Sequence, residues 1–164
     1  MKIYLSLGSN IGDRRENLIE ALSVLQSSGF AQIERISRFY ETSPIGYKQR
    51  YFYNICVQAQ THLSAWDLLF LLKSIERLMG RKKAKKWSER IIDIDILFYG
   101  CQIIKNSNLN IPHKEIENRL FVLIPLAEIA PNFKHPVLHR KIKEILKEKS
   151  LTLDCQIIKI AASV

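Results

Sequence analysis

Over the first hundred residues, the spacing of apolar side chains changes between a period of two and a period of 3.6, giving the order strand, helix, strand, strand, helix, strand. Residues 2–7 alternate, with Ile3, Leu5 and Leu7 on one side, and Gly8 is expected to end the run. Asp13, with Glu16 three residues on, makes a capping-box-like start for a helix striped by Leu18, Ala21, Leu22 and Leu25 and stopping before Gly29. Residues 33–40 are rich in β-branched and aromatic types, residues 42–46 are turn chemistry, and residues 52–61 alternate again. Ser64 and Asp67 cap a second helix carrying Ala65, Leu68, Leu69, Leu72, Ile75 and Met79, closed by Gly80, and residues 91–99 form the fourth strand. This order is the signature of an α+β, ferredoxin-like βαββαβ sandwich, with helices on one sheet face and the other face free. A C-terminal extension follows: a polar turn at 105–108, a helical stretch near 119–129 interrupted by Pro125, a basic helix from about His139, and a strand at 155–160. Residues 1–164 read as a single domain without repeats.

Of the 164 residues, 47% are apolar, enough for one core that buries roughly 70% of the unfolded surface. The longest apolar runs, at 68–72 and 120–124, fall far short of the roughly 20 residues that cross a bilayer, and the N-terminal segment has no signal-like apolar block. The expectation is a cytoplasmic protein with no membrane partner, and a monomer. Cys56, Cys101 and Cys155 are too few and too scattered for a disulfide or zinc framework. A formal charge of +9 calls for an anionic partner: nucleic acid, a membrane surface or a phosphorylated small molecule. Six of the cations crowd into residues 81–90 with Asp93 and Asp95 directly behind them, a place where nucleic-acid patches seldom put acids.

Asp93 and Asp95 are two apart on a strand, so both carboxylates leave one face while Ile92, Ile94 and Ile96 point to the core. Like charges this close need a cation between them, and Mg²⁺ favours one or two carboxylates completed by substrate phosphates and water. Alone, such a pair is equally a solvated strand face. The adjoining loop 81–90 changes the balance, because phosphoryl transfer asks a protein for positioning and positive charge around the travelling group. Phe52 and Asn54 share the face opposite Tyr53, Ile55 and Val57, an aromatic plane beside an amide that suits a flat, nitrogen-rich ring. An aromatic packed under a loop and an amide satisfying backbone would read the same way. Glu76 lies within the apolar stripe of the second helix and needs a partner there, as a site residue or a buried pair. His62, His113, His135 and His139 lack metal-ligand spacing, and Pro112-His113 reads as a capping turn. Residues 8–13 carry neither the dinucleotide fingerprint nor a Walker loop, and turn and cap account for them.

Seven motifs in order then resemble the 6-hydroxymethyl-7,8-dihydropterin pyrophosphokinases: Leu7-Gly8-Ser9-Asn10, Thr42-Ser43-Pro44-Ile45-Gly46, Phe52-Tyr53-Asn54, Gly80-Arg81, Arg90-x-x-Asp93-x-Asp95-Ile96, Pro112-His113, and Arg119-x-Phe121-Val122-Leu123-x-Pro125-Leu126. The resemblance, from residue 3 to about Pro131, implies an ATP-dependent pyrophosphokinase of folate synthesis. Its substrates would be ATP and a reduced pterin, whose hydroxymethyl oxygen attacks the β-phosphorus and releases AMP. It further implies two Mg²⁺ ions on Asp93 and Asp95, with Arg81, Arg90 and Asp95 serving catalysis. Thr42, Pro44, Ile45, Phe52, Asn54 and Phe121 would hold the pterin. Lys83, Trp87, Ile96, Asn110, His113, Lys114 and Arg119 would contact ATP.

Two departures stand out. Ser88-Glu89 occupies the place of the family's usual Gly-Pro, and lysines replace arginines in the loop, which keeps charge but loses bidentate phosphate recognition. Looser, more salt-sensitive phosphate binding is the expectation. A basic RNA-binding module on a ferredoxin-like sheet is the rival from another class, but its Lys/Arg-Gly-aromatic-Gly/Ala-Phe signature is absent. An ordinary kinase releasing ADP is the enzymatic rival.

Overall fold

A computed structural model of the chain describes residues 1–44, 50–81, 89–152 and 158–160. The first alternating run forms β1 (Lys2–Ser9), and Asp13 caps α1 (Arg14–Ser27) by accepting from the Arg15 and Glu16 amides. The strands β2 (Ala31–Ile36), β3 (Tyr40–Thr42) and β4 (Phe52–Thr61) follow, then α2 (Ala65–Leu78), capped by Ser64. The edge strand β5 (Asp93–Tyr99) leads into a short hairpin, β6 (Ile104–Lys105) and β7 (Asn110–Ile111). Beyond a 3₁₀ turn at Ile116–Asn118 come α3 (Leu120–Ile129), α4 (Ile142–Thr152) and β8 (Ile158–Ile160).

The main sheet is antiparallel in the order β5-β1-β4-β3-β8, with β2 also paired to β4. The expected α+β class holds. On one face, Ile3, Leu5 and Leu7 of β1, Ile55 and Val57 of β4 and Ile94 of β5 pack with Leu18 and Leu25 of α1 and Leu68 and Leu72 of α2. Each such side chain contributes on the order of 1.5–3 kcal/mol on burial.

Four expectations need correction. The second sheet face is not free: Tyr4, Cys56 and Phe98 on it are apolar, and α3 and α4 bury them under Val122, Leu123, Leu126, Ile142 and Ile145. Pro125 does not interrupt α3, because the turns around it are buried apolar residues whose packing outweighs one missing backbone donor. The strand expected over residues 33–40 divides at Ser37, whose hydroxyl accepts the Cys56 amide at 2.9 Å and so takes a ladder position that a strand carbonyl would hold. Gly8 does not end β1 but continues it, for a reason that belongs to the site.

Candidate functional site

Strand register brings distant parts of the sequence together. Gly8 faces Asn54 on one side and Asp93 on the other, and Ser6 faces Cys56 and Asp95. Residues directly opposite in a sheet share a face. Asp93, Gly8 and Asn54 therefore form one row across three strands, with Asp95 in the next row and Thr42 paired to Phe52 in the row before. Strands lie about 4.8 Å apart, so the backbones of Asp93 and Asn54 are separated by roughly 10 Å with only a glycine between them. A Cβ on Gly8 would stand 2.8 Å from the Asn54 Oδ1. Asn54 is buried, and its amide donates to the Thr42 hydroxyl at 2.7 Å, which fixes the direction of the carboxamide.

The N-terminal turn of α3 overlies the same face, since the Cys56 thiol donates to the Val122 carbonyl at 3.6 Å. Phe121 is in that turn, partly exposed, and the Arg119 guanidinium lies 5.7 Å from its ring centroid. Phe52 is also partly exposed, and Tyr53, on the opposite side of the strand, packs toward the first core beneath Arg14.

At the sheet edge, Asp93 and Asp95 leave β5 on one face while Ile92, Ile94 and Ile96 are buried, as the alternation requires. Asp93 accepts from Arg81 at 2.6 Å and from Arg90. Burial alone would raise the Asp93 carboxyl, but Arg81, Lys73 and Arg90 overcome it and hold the group below the usual carboxylate range. Arg81, although burial opposes its charge, is held above its ordinary value by Asp93 and Glu76. Asn10 anchors the foot of the cationic loop: its carboxamide oxygen accepts the Arg90 amide at 2.7 Å, and its own backbone amide donates to the Arg90 carbonyl at 3.1 Å.

Glu76 is a buried ion pair, one of the two readings its position in the stripe allows. It accepts from Lys73 at 2.7 Å, from the outward-pointing amide of Ile94 at 2.7 Å, and from Arg81. Burial pushes its carboxyl up from the ordinary range, while the two cations and the amide pull the other way. The Lys73 ammonium also lies 4.0 Å from both Asp93 and Asp95.

A cavity of about 170 Å³ opens beside Asp95, lined among others by Lys73, Ile96, Asn108, Asn110, His113 and Lys114. His113 makes the turn expected of it and also borders this cavity. Its Nδ1 accepts the Glu115 amide at 3.3 Å, as in a turn, and its ring lines the cavity. Burial holds its imidazole below the ordinary value, against the opposing charge of Asp95.

Of the residues expected to contact ATP, Ile96, Asn110, His113 and Lys114 thus gather on one cavity with Asp95, while Arg119 sits by Phe121. Of the pterin set, Thr42, Phe52 and Asn54 share one face, and Pro44 follows on the chain after β3. Ile45, Lys83 and Trp87 lie outside the described residues. Lys73, Asn108 and the spacer role of Gly8 are absent from the sequence-based expectations. Lys73 is legible in principle, since Leu69, Lys73 and Glu76 fall at helical spacing on one side of α2. The two carboxylates, with room beside them, fit a magnesium ion whose remaining positions go to phosphate and water.

Residues 4–131 match the family described as 7,8-dihydro-6-hydroxymethylpterin-pyrophosphokinase (HPPK). The chain is 40% identical over 159 residues to the 2-amino-4-hydroxy-6-hydroxymethyldihydropteridine pyrophosphokinase of Aquifex aeolicus, covering 96% of this chain and 98% of that one. It is 41% identical over 127 residues to the Bacillus subtilis protein of the same name, covering 77% and 76%. The crystal structure of wild-type Plasmodium falciparum HPPK-DHPS shares the fold with a TM-score of 0.71 at 20% identity, over 90% of this chain and 40% of that one.

Proposed function

Because the chain belongs to the 7,8-dihydro-6-hydroxymethylpterin-pyrophosphokinase family, we propose that the row Asp93–Gly8–Asn54 is where its two substrates meet. The reaction itself is the family's: diphosphate passes from ATP to the hydroxymethyl group of the reduced pterin in folate biosynthesis. A bond forms between the hydroxymethyl oxygen and the β-phosphorus, the bond from that phosphorus to the bridging oxygen of AMP breaks, and the hydroxyl proton is lost.

In this reading Asn54, its carboxamide held by Thr42, reads the edge of the pterin, Phe52 and Phe121 offer their planes to the ring, and Thr42, Pro44 and Ile45 supply further contacts to it. ATP takes the cavity along β5, against Ile96, Asn110, His113 and Lys114, with Arg119 and the loop residues Lys83 and Trp87 completing its contacts. Asp93 and Asp95 would hold two Mg²⁺ ions, which when bound neutralise charge on the phosphate oxygens and make the β-phosphorus more electrophilic. Arg81 and Arg90, which rest on Asp93, turn to the transferring phosphates as charge develops there. The observation that carries the reading is the glycine between the amide and the acids: because it has no Cβ, the Asn54 carboxamide can lie over β1, its oxygen within 2.8 Å of where that Cβ would stand, on the row that ends at Asp93.

The same proposal reads the sheet as ferredoxin-like: the antiparallel order β5-β1-β4 with β2 paired to the far side of β4 supports the split βαβ arrangement, and α3, α4 and β8 are the extension. It takes residues 1–164 as one domain and the protein as a cytoplasmic monomer with no nucleic-acid or membrane partner. Among the described residues no helix is long and apolar enough to cross a membrane. Incubation with ATP, Mg²⁺ and hydroxymethyl-dihydropterin tests the assignment: AMP and the pterin diphosphate are expected, and ADP as the nucleotide product would refute it.

A further inference from the structure

We propose that Lys73 is a tethered cation that keeps the Asp93 and Asp95 pair from taking a bare divalent ion and makes ion entry depend on nucleotide phosphates. The inference rests on the reading of these two acids as the magnesium ligands.

Lys73 reaches the acids from α2, around the edge strand. Its ammonium has three donors, and two are committed, to Glu76 at 2.7 Å and to the Ile94 carbonyl at 3.2 Å. Those bonds hold the nitrogen 4.0 Å from an oxygen of each acid, within ion-pair range but beyond a hydrogen bond. The charge is therefore close enough to relieve the repulsion between the carboxylates and too far to occupy their coordinating lone pairs.

Charge balance gives the consequence. Among the described residues the cluster has three carboxylates, Glu76, Asp93 and Asp95, against three cations, Lys73, Arg81 and Arg90. Those six charges cancel. A lone divalent ion would enter a partly buried place already balanced and meet a fixed ammonium, an unfavourable exchange in reduced dielectric. Two divalent ions arriving with the four negative charges of ATP add no net charge. Lys73 also lines the cavity beside Asp95, so the same ammonium faces the incoming nucleotide.

The test is Mn²⁺ titration followed by electron paramagnetic resonance, with nucleotide-free wild type, Lys73→Met and Lys73→Arg, each checked for folding by its melting curve. Lys73→Met is expected to bind Mn²⁺ at least about tenfold more tightly than wild type, and Lys73→Arg to remain as weak as wild type. Lys73→Gln serves if the methionine variant is unfolded. Equal Mn²⁺ affinity in wild type and the neutral variant overturns the inference. A parallel titration with a non-hydrolysable ATP analogue separates the two levels. Binding that Asp95→Asn removes upholds the metal ligands whatever Lys73 does, and binding indifferent to Asp95→Asn refutes the ligands and the role of Lys73 with them.

Discussion

Gly8 and Asn54 face each other across β1 and β4 so closely that a methyl group on the glycine would stand 2.8 Å from the Asn54 carboxamide oxygen. That amide is buried and tied to Thr42, so it has little freedom to give way. Gly8→Ala is expected to displace Asn54 from the direction in which it is proposed to read the pterin, raising the pterin KM at least about tenfold. Nucleotide binding along β5 should change little, and overpacking should cost about 1–3 kcal/mol in thermal unfolding. Equal pterin KM in the two proteins would remove the spacer role.

Asp93 and Asp95 differ in their partners, and their neutral variants should differ accordingly. Asp95 meets Lys73 at 4.0 Å, so Asp95→Asn leaves the melting temperature nearly unchanged and lowers turnover by about 100-fold or more. Asp93 is engaged by both Arg81 and Arg90, so Asp93→Asn loses turnover and also about 1–3 kcal/mol of stability as those cations lose their acceptor. Paired kinetics and melting curves check this, and near-normal turnover in Asp95→Asn would end the metal assignment.

Features encoded by neighbouring residues are legible in the sequence, and features created by contact between distant segments are not. Caps and stripes at Asp13, Ser64 and Leu68 are local, and the helices begin where those residues indicate. The alternation of Asp93 and Asp95 with three isoleucines is also local and assigns the correct face. Gly8, by contrast, resembles a strand terminator until register sets Asn54 against it. The sheet face expected to meet solvent is covered by α3 and α4, whose approach no period within the first hundred residues encodes. Lys73 falls between: its helical spacing to Glu76 is visible in the sequence, but its distance to two acids on another element is not.

His135 links pH to stability through a bond that only its unprotonated nitrogen can make. Its Nδ1 accepts the Val137 and Leu138 amides, each at 3.2 Å, and burial holds the imidazole below the ordinary 6.5. A base with a depressed folded value contributes stability that is present above its unfolded value and is lost as pH falls through the folded one. The melting temperature should therefore drop as pH falls below the ordinary 6.5, and His135→Asn should flatten that drop. Asp93, a depressed acid, adds a separate loss only below its ordinary 3.8. An unaltered pH profile in His135→Asn would count against the buried acceptor.

Glu76 collects Lys73, Arg81 and the Ile94 amide on one buried carboxylate, so its removal affects both the fold and the acids two strand positions apart around Ile94. Glu76→Ala leaves two cations without their partner and the edge amide without an acceptor, at a cost of about 3 kcal/mol. That figure is at the low end for buried pairs because the Lys73 side chain is 38% exposed and can turn to water. Glu76→Gln keeps an acceptor for Ile94 and should cost less, yet it releases Arg81 and Lys73 from fixed positions. In this variant kcat should fall while the pterin KM, which the proposed function assigns to Asn54 and Thr42 on strands away from β5, stays as in wild type. A rise in pterin KM matching the fall in kcat would show instead that Glu76 supports the whole sheet rather than the nucleotide side of it.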